Sequence, residues 1–208
     1  MFRHAEGEMY SWLARNERDM ADCGRMSPIK LLDTYGAWSS NVMAVHANYL
    51  ARGDAAVLVA RKASVVHCPR SHAYFRHDRF PFGPLDRAGV NVCLGTDSLA
   101  TVACNRKNRA ELNLFDEMHA FAAAHPRIPS TKIVMMATMN GARSLGLTGK
   151  AGEIRAGAFA DLIAFPFTGK PEDAFDAVVD HRGPVTASMI EGQWAIVPDA
   201  AKPLLSRE

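Results

Sequence analysis

A charge excess of either sign is missing from this sequence. Lys and Arg total 24 against 22 Asp and Glu, a formal net charge of +2 over 208 residues, which is too little to grip a polyanion or an acidic membrane. Nucleic acid and membrane are therefore not expected partners. There is no Cys-x-x-Cys pair. Cys23, Cys68, Cys93 and Cys104 are scattered, a pattern that suggests neither a zinc knuckle nor a disulfide framework and makes the cytoplasm the expected compartment. No apolar run approaches the roughly 20 residues of a membrane span, and residues 1–8 lack the apolar centre of an export signal. Repeats and low-complexity tracts are absent. So are a glycine-rich phosphate loop and a Ser-His-Asp order, which leaves nucleotide hydrolysis and serine chemistry without support.

What is present is the balance of a globular domain, 48% hydrophobic and 22% charged, so any function must sit in a local site. From residue 41 the chain repeats a unit: a short β-branched apolar run, a polar residue at its end, then a helical stretch. Residues 41–45 end at His46 and are followed by an expected helix over 54–62 with Asp54 as N-cap. Residues 63–66 end at His67-Cys68-Pro69, then come an irregular loop and a short helix over 84–88 stopped by Gly89. Residues 90–94 end at Gly95-Thr96-Asp97-Ser98, ahead of an amphipathic helix around 109–124. Alternating strands and helices imply a parallel sheet with right-handed crossovers.

His46, His67 and Asp97 recur at close to the unit length of a (β/α)8 barrel, about 250 residues divided among eight units. In such a barrel all three land on the rim at the C-terminal strand ends, where barrel enzymes keep their chemistry. A helix is expected over 130–144. After a glycine-punctuated exit at 146–157 the texture changes to short strands at 160–165, 177–180, 185–190 and 194–197, with 191–193 as a turn: a small antiparallel β module. Only three barrel-type strands precede that module. Three parallel strands alone leave an unpaired edge and an uncovered apolar face, so the chain is expected to be the C-terminal part of a larger protein or to need a partner supplying the other strands.

At His46, His67-Cys68-Pro69-Arg70-Ser71-His72 and Leu94-Gly95-Thr96-Asp97-Ser98 the chain resembles the C-terminal half of the amidohydrolase superfamily. The branch is that of the cytosine, guanine, adenosylhomocysteine and aminofutalosine deaminases and the triazine chlorohydrolases. The resemblance runs from about residue 27 to 197 and includes 136–147 and the Gly152-Glu153-Ile154-Arg155-Ala156-Gly157 signature. It implies an α/β fold: residues 1–148 as the C-terminal part of a TIM-like (β/α)8 metal-dependent hydrolase barrel, 149–197 as a small β-sandwich portion, and 198–208 as a tail. It also implies hydrolysis of a C–N bond, most often that of an exocyclic amine on a purine- or pyrimidine-like ring. By the same resemblance Asp97, after the eighth strand, binds the catalytic metal and takes a proton from metal-bound water. His46, after the sixth, sits in the metal site or hydrogen-bonds the reacting group. His67, Arg70, Ser71 and His72 lie where family members face substrate, although asparagines are common there and His72 departs from that habit.

The family's other ligands are a His-x-His pair after the first strand and a histidine after the fifth, with a glutamate three residues beyond it. This sequence has no His-x-His. His4 has too short a run before it to end a strand, Glu6 and Glu8 stand at the wrong offsets, and residues 9–13 read as the helical crossover after the fifth strand. A catalytic zinc needs three protein ligands, so the chain alone is expected to hold metal weakly and to be inactive or nearly so. Zinc is the expected ion, and iron satisfies the same ligands. The chemistry explains the residue types: a bound zinc lowers the pKa of its water to about 7, and a carboxylate beside it can carry the proton to the leaving amine.

Plainer roles compete. Asp97 could cap the segment after it, His46 could be a core histidine, and Arg70 could meet a surface acid rather than a ligand's carboxylate or phosphate. Met135, Met136 and Met139 read as core filler, Cys93 as a buried inert thiol, and His77, His119, His125 and His181 as ordinary surface or helix residues. The rival functions are a chlorohydrolase or cyclic-amide hydrolase of the same superfamily, or a non-catalytic remnant or companion subunit. Expected partners are a small heterocyclic substrate and the missing barrel half or another chain, with homo-oligomerisation left open.

Overall fold

A computed structural model describes residues 3–24, 26–102 and 111–199. The chain divides into two compact units, Met1–Val65 with Asp78–Asn91, and Val66–His77 with Val92–Glu208. Three short strands form where β-branched and small apolar residues are consecutive: β1 (Met43–Val45), β2 (Ser64–His67) and β3 (Val92–Leu94), hydrogen-bonded in the order β1-β2-β3. Val65 N–H donates to Asn91 O and Gly95 N–H to His67 O, each at 2.9 Å. Both partners advance together along the chain, so β2 and β3 run parallel. β3 is buried at all three positions, as a strand covered on both faces should be.

In the first unit, α1 (Glu8–Arg15) lies where the helical crossover was expected, followed by α2 (Pro28–Thr34) and α3 (Asp54–Ala60). Asp54 is not the N-cap of α3. Gly53 holds that position, and the Asp54 carboxylate turns inward, fully buried, to accept from Ser27 Oγ at 2.6 Å and Ala51 N–H at 2.7 Å. Ser27 in turn accepts from Lys30 N–H at 3.2 Å as the N-cap of α2, so one buried hydroxyl ties the two helix starts together. Leu58 of α3 and Leu85 are both fully buried; Leu85 lies on the Phe82–Ala88 helix, which starts two residues earlier than expected and stops at Gly89.

In the second unit, the residues after β2 are not an irregular loop. Pro69 supplies a first-turn residue with φ already set, and Pro69–Tyr74 forms α4, which makes Phe82–Ala88 α5. Leu114–Ala124 is α6, capped by Asn113 Oδ1 accepting from Phe115 N–H at 2.9 Å; of the expected 109–124 helix, residues 111–113 are not helical because Asn113 sets the start, and 109–110, like Cys104, lie outside the described residues. The expected helix over 130–144 breaks at Thr138 (φ −125°, ψ −92°) into α7 (Ser130–Ala137) and α8 (Met139–Ser144). The break is where Gly152 packs: with φ +80°, a side chain there would be strained, and its Cβ would lie 2.7 Å from Thr138 O. The core is Met118 and Phe121 of α6 with Ile133 and Met136 of α7. Burying Phe121 alone contributes about 1.5–3 kcal/mol. Met135 and Met139 are exposed by contrast, because only one face of each short helix meets the core.

Residues 177–180 are not a strand but the end of α9 (Ala174–Asp180). The Val-Val pair suggested β structure; instead Phe175, Val178 and Val179 stand at helical spacing and Val179 is buried, with α9 packed on α6 and α7. The antiparallel module is otherwise as expected. β4 (Leu162–Ala164) pairs with β5 (Ala187–Ile190), which pairs with β6 (Gln193–Ile196). The β5–β6 turn, Glu191-Gly192, has φ of +50° and +81°, the two positive values a type I′ hairpin requires. His125 is not a surface residue: it is buried and stacks on Phe121 at 4.5 Å between ring centres. Among the described residues no helix is long and apolar enough to cross a membrane.

Candidate active site around Asp97

Two parallel neighbours bring their C-terminal ends to one edge, and the residues that follow them meet there. After β3 the chain passes through Gly95 and Thr96 to Asp97, whose φ of +55° is left-handed, a conformation that aspartate tolerates better than most side chains. Gly95 is needed for close approach, since a Cβ there would lie 2.8 Å from Val66 Cγ1. After β2, Cys68 and Pro69 start α4, and Ser71 points back to the β3 end. Its hydroxyl, on a residue 2% exposed, donates to Asp97 Oδ2 at 2.5 Å. Asp97 itself is exposed. It does not cap the next segment, because Ser98 does so by accepting from Ala100 N–H at 3.1 Å.

Arg70 is bound to the start of α6. Its Nε donates to Glu117 Oε1 at 2.6 Å and its backbone N–H to Glu117 Oε2 at 2.9 Å. Nη1 reaches Asp116 Oδ2 at 3.1 Å and Nη2 reaches Glu111 O at 2.7 Å. Of the two roles expected for Arg70, facing substrate or meeting a surface acid, the contacts present are to acids, Asp116 and Glu117, and Glu117 is completely buried. Burial pushes the Glu117 carboxyl up from its ordinary range, with the Arg70 hydrogen bonds acting in the opposite direction. Glu117 was missed in the sequence, although a signal existed: it stands four residues before Phe121, on the apolar face of α6.

His67 is buried at the end of β2, and its ring lies 5.2 Å from His72 and 5.9 Å from Phe121, edge-on to both. His72 is in α4 rather than a loop, with its ring 5.4 Å from His77. His46 follows β1 in the first unit, half-buried with φ +71°. Cys68 is no nucleophile: burial, reinforced by the nearby Asp97 and Glu117 charges, pushes its thiol up to about 12. Cys93 is also buried and raised, so the expectation of an inert thiol holds. Among the described residues no three His, Cys, Asp or Glu side chains converge as a metal site would require. Asp97 is a suitable carboxylate donor, yet the described residues by themselves do not fit a zinc ion.

The model of the Amidohydrolase family matches residues 14–195. The chain is 33% identical over 175 residues to a 5-methylthioadenosine/S-adenosylhomocysteine deaminase of Thermococcus onnurineus, covering 78% of this chain and 39% of that protein. It is 37% identical over 138 residues to the protein of the same name from Pyrococcus furiosus, covering 66% and 32%. Among solved structures, an adenosine deaminase from Xanthomonas campestris with bound zinc superposes with a TM-score of 0.73 at 24% identity, over 99% of this chain and 48% of that one. Helicobacter pylori aminofutalosine deaminase gives 0.74 at 21% identity, over 93% and 48%. The fold is thus shared with these structures, and the chain spans about half of their length and 39% or less of the two curated relatives.

Proposed function

The chain belongs to the Amidohydrolase family, and from that premise we propose that it is the C-terminal part of a metal-dependent hydrolase of non-peptide C–N bonds. Within that class we assign it to the aminohydrolases of purine- or pyrimidine-like heterocycles. Residues 1–148 then form the C-terminal part of a (β/α)8 barrel and 149–197 a portion of a small β-sandwich, with the remaining strands supplied by an N-terminal half or another chain. Asp97 and His46 belong to the divalent metal centre, zinc or iron, whose other ligands come from those strands. His67 and His72 line the substrate side. A cytoplasmic location fits the scattered thiols.

The observation that carries this reading is the Ser71–Asp97 pair. An exposed carboxylate at a strand end, oriented by a buried hydroxyl, suits a group that must take a proton from attacking water and hand it to the departing amine. Water adds to the ring carbon, the tetrahedral adduct collapses, and ammonia leaves while the carbon keeps the oxygen. Arg70, held by three acceptor groups, has no part in this step.

The test is ammonia release from adenosine, S-adenosylhomocysteine, guanine and cytosine. The purified chain with added zinc should give no turnover; joined to a polypeptide supplying the His-x-His strands it should give turnover that Asp97→Asn abolishes. An assembly that stays active as Asp97→Asn overturns the assignment of Asp97. Robust turnover by the chain alone overturns the claim that it is incomplete, and chloride release from a chlorinated triazine in place of ammonia would favour a chlorohydrolase.

A further inference from the structure

We infer that Glu117 is a positioning residue for Asp97, acting through α4: it clamps the backbone and guanidinium of Arg70, and that clamp holds the neighbouring Ser71 hydroxyl on the Asp97 carboxylate. Its functional meaning rests on the proposed role of Asp97.

The argument starts with how little α4 has of its own. It is six residues long, Pro69 has no N–H, and the N-cap residue Cys68 makes no side-chain cap. A helix this short has little intrinsic stability and is placed by its contacts. The first amide it presents, Arg70 N–H, would be an orphan donor at the helix start. Glu117 accepts it at 2.9 Å with Oε2, while Oε1 takes Arg70 Nε at 2.6 Å. A carboxylate from α6 thus does for α4 what a cap residue would normally do, and grips side chain as well as backbone. The same guanidinium reaches Asp116 and Glu111 O, which fastens the start of α6 to the clamp.

Ser71 is the next residue along. Its hydroxyl has to stay within hydrogen-bond range of Asp97 Oδ2, and such bonds weaken steeply with small displacements. Fixing the Arg70 amide fixes the peptide that carries Ser71. The costly burial of an acid, with Glu117 completely inaccessible, has an evident use here: it gives α4 a single orientation.

The experiment is carboxyl labelling of the full chain with a carbodiimide and glycine ethyl ester, resolved by peptide mass spectrometry, with the rate at Asp97 as readout and Asp161 as internal control. Ser71→Ala should raise Asp97 labelling several-fold by removing the Ser71 donor from the carboxylate. Glu117→Gln should raise it similarly, and the double variant should label no faster than Ser71→Ala alone, because Glu117 acts through Ser71. Wild-type labelling of Asp97 in folded Glu117→Gln overturns the inference, and so do increases that add in the double variant. If Glu117→Gln does not fold, Arg70→Lys carries the test: faster Asp97 labelling supports the clamp and an unchanged rate overturns it. The labelling needs neither substrate nor metal, so it stands or falls separately from the deamination assay.

Discussion

Replacing Arg70 with Met tests the energetics of the buried acid directly. Glu117 is 0% exposed and Arg70 18% exposed at the side chain, and the substitution removes the 2.6 Å Nε bond while leaving the Arg70 N–H bond in place. Breaking a buried ion pair by removing one partner costs about 3–5 kcal/mol. With the backbone bond retained and the arginine partly solvated, we expect about 2–3 kcal/mol near neutral pH. The pH dependence gives the sharper test. Burial already holds the Glu117 carboxyl above its ordinary 4.5, and Arg70 is the main opposing influence. Between the unfolded and the raised native value the native state binds more protons than the unfolded state, so stability falls as pH rises through that window. Losing the guanidinium raises the native value further and widens the window. The penalty of Arg70→Met is therefore largest above the window and shrinks as pH falls toward 4.5, where Glu117 can be buried neutral. Urea unfolding followed by tryptophan fluorescence near pH 7 and near pH 5 measures both, and Arg70→Met/Glu117→Gln should recover part of the loss at the higher pH. A penalty below about 0.5 kcal/mol, the size of a surface pair, or one equal at the two pH values, would refute the reasoning.

Phe121→Ala should cost about 3–5 kcal/mol in thermal or urea unfolding, since the ring is fully buried against His67 and His125; a cost under 1 kcal/mol would mean that α6 is not a core helix. Gly152→Ala, with positive φ and Thr138 O in the space its Cβ needs, should destabilise by about 1–3 kcal/mol, and a variant melting with the wild type would exclude that close approach. Cys68, buried and with its thiol raised to about 12, should alkylate with iodoacetamide at pH 8 far more slowly in the native chain than in urea. Prompt native labelling of that peptide would contradict its burial.

The strands were legible because their signals are local. β-branched runs end at His46, His67 and Asp97, and the Glu191-Gly192 pair marks its hairpin, so pattern and turn chemistry agree without any distant contact. Asp97 at a strand end was readable for the same reason, and the motifs around it sufficed to indicate the family. Other features depend on what a segment packs against. The Val178-Val179 pair is equally compatible with strand and helix, and burial of Val179 within the second unit decides for α9. Residues 69–74 carry no apolar period strong enough to announce a helix; Glu117, forty-seven residues away from Arg70, supplies the missing cap. The same holds for Asp54, which looks like a cap in isolation and becomes a buried tie once Ser27 is beside it. Sequence alone thus determined the strand runs ahead of His46, His67 and Asp97, the β5–β6 hairpin and the strand-end position of Asp97. Only the tertiary structure decided which groups meet around Asp97, because the Ser71–Asp97 and Arg70–Glu117 hydrogen bonds join segments whose separation along the chain no local pattern records.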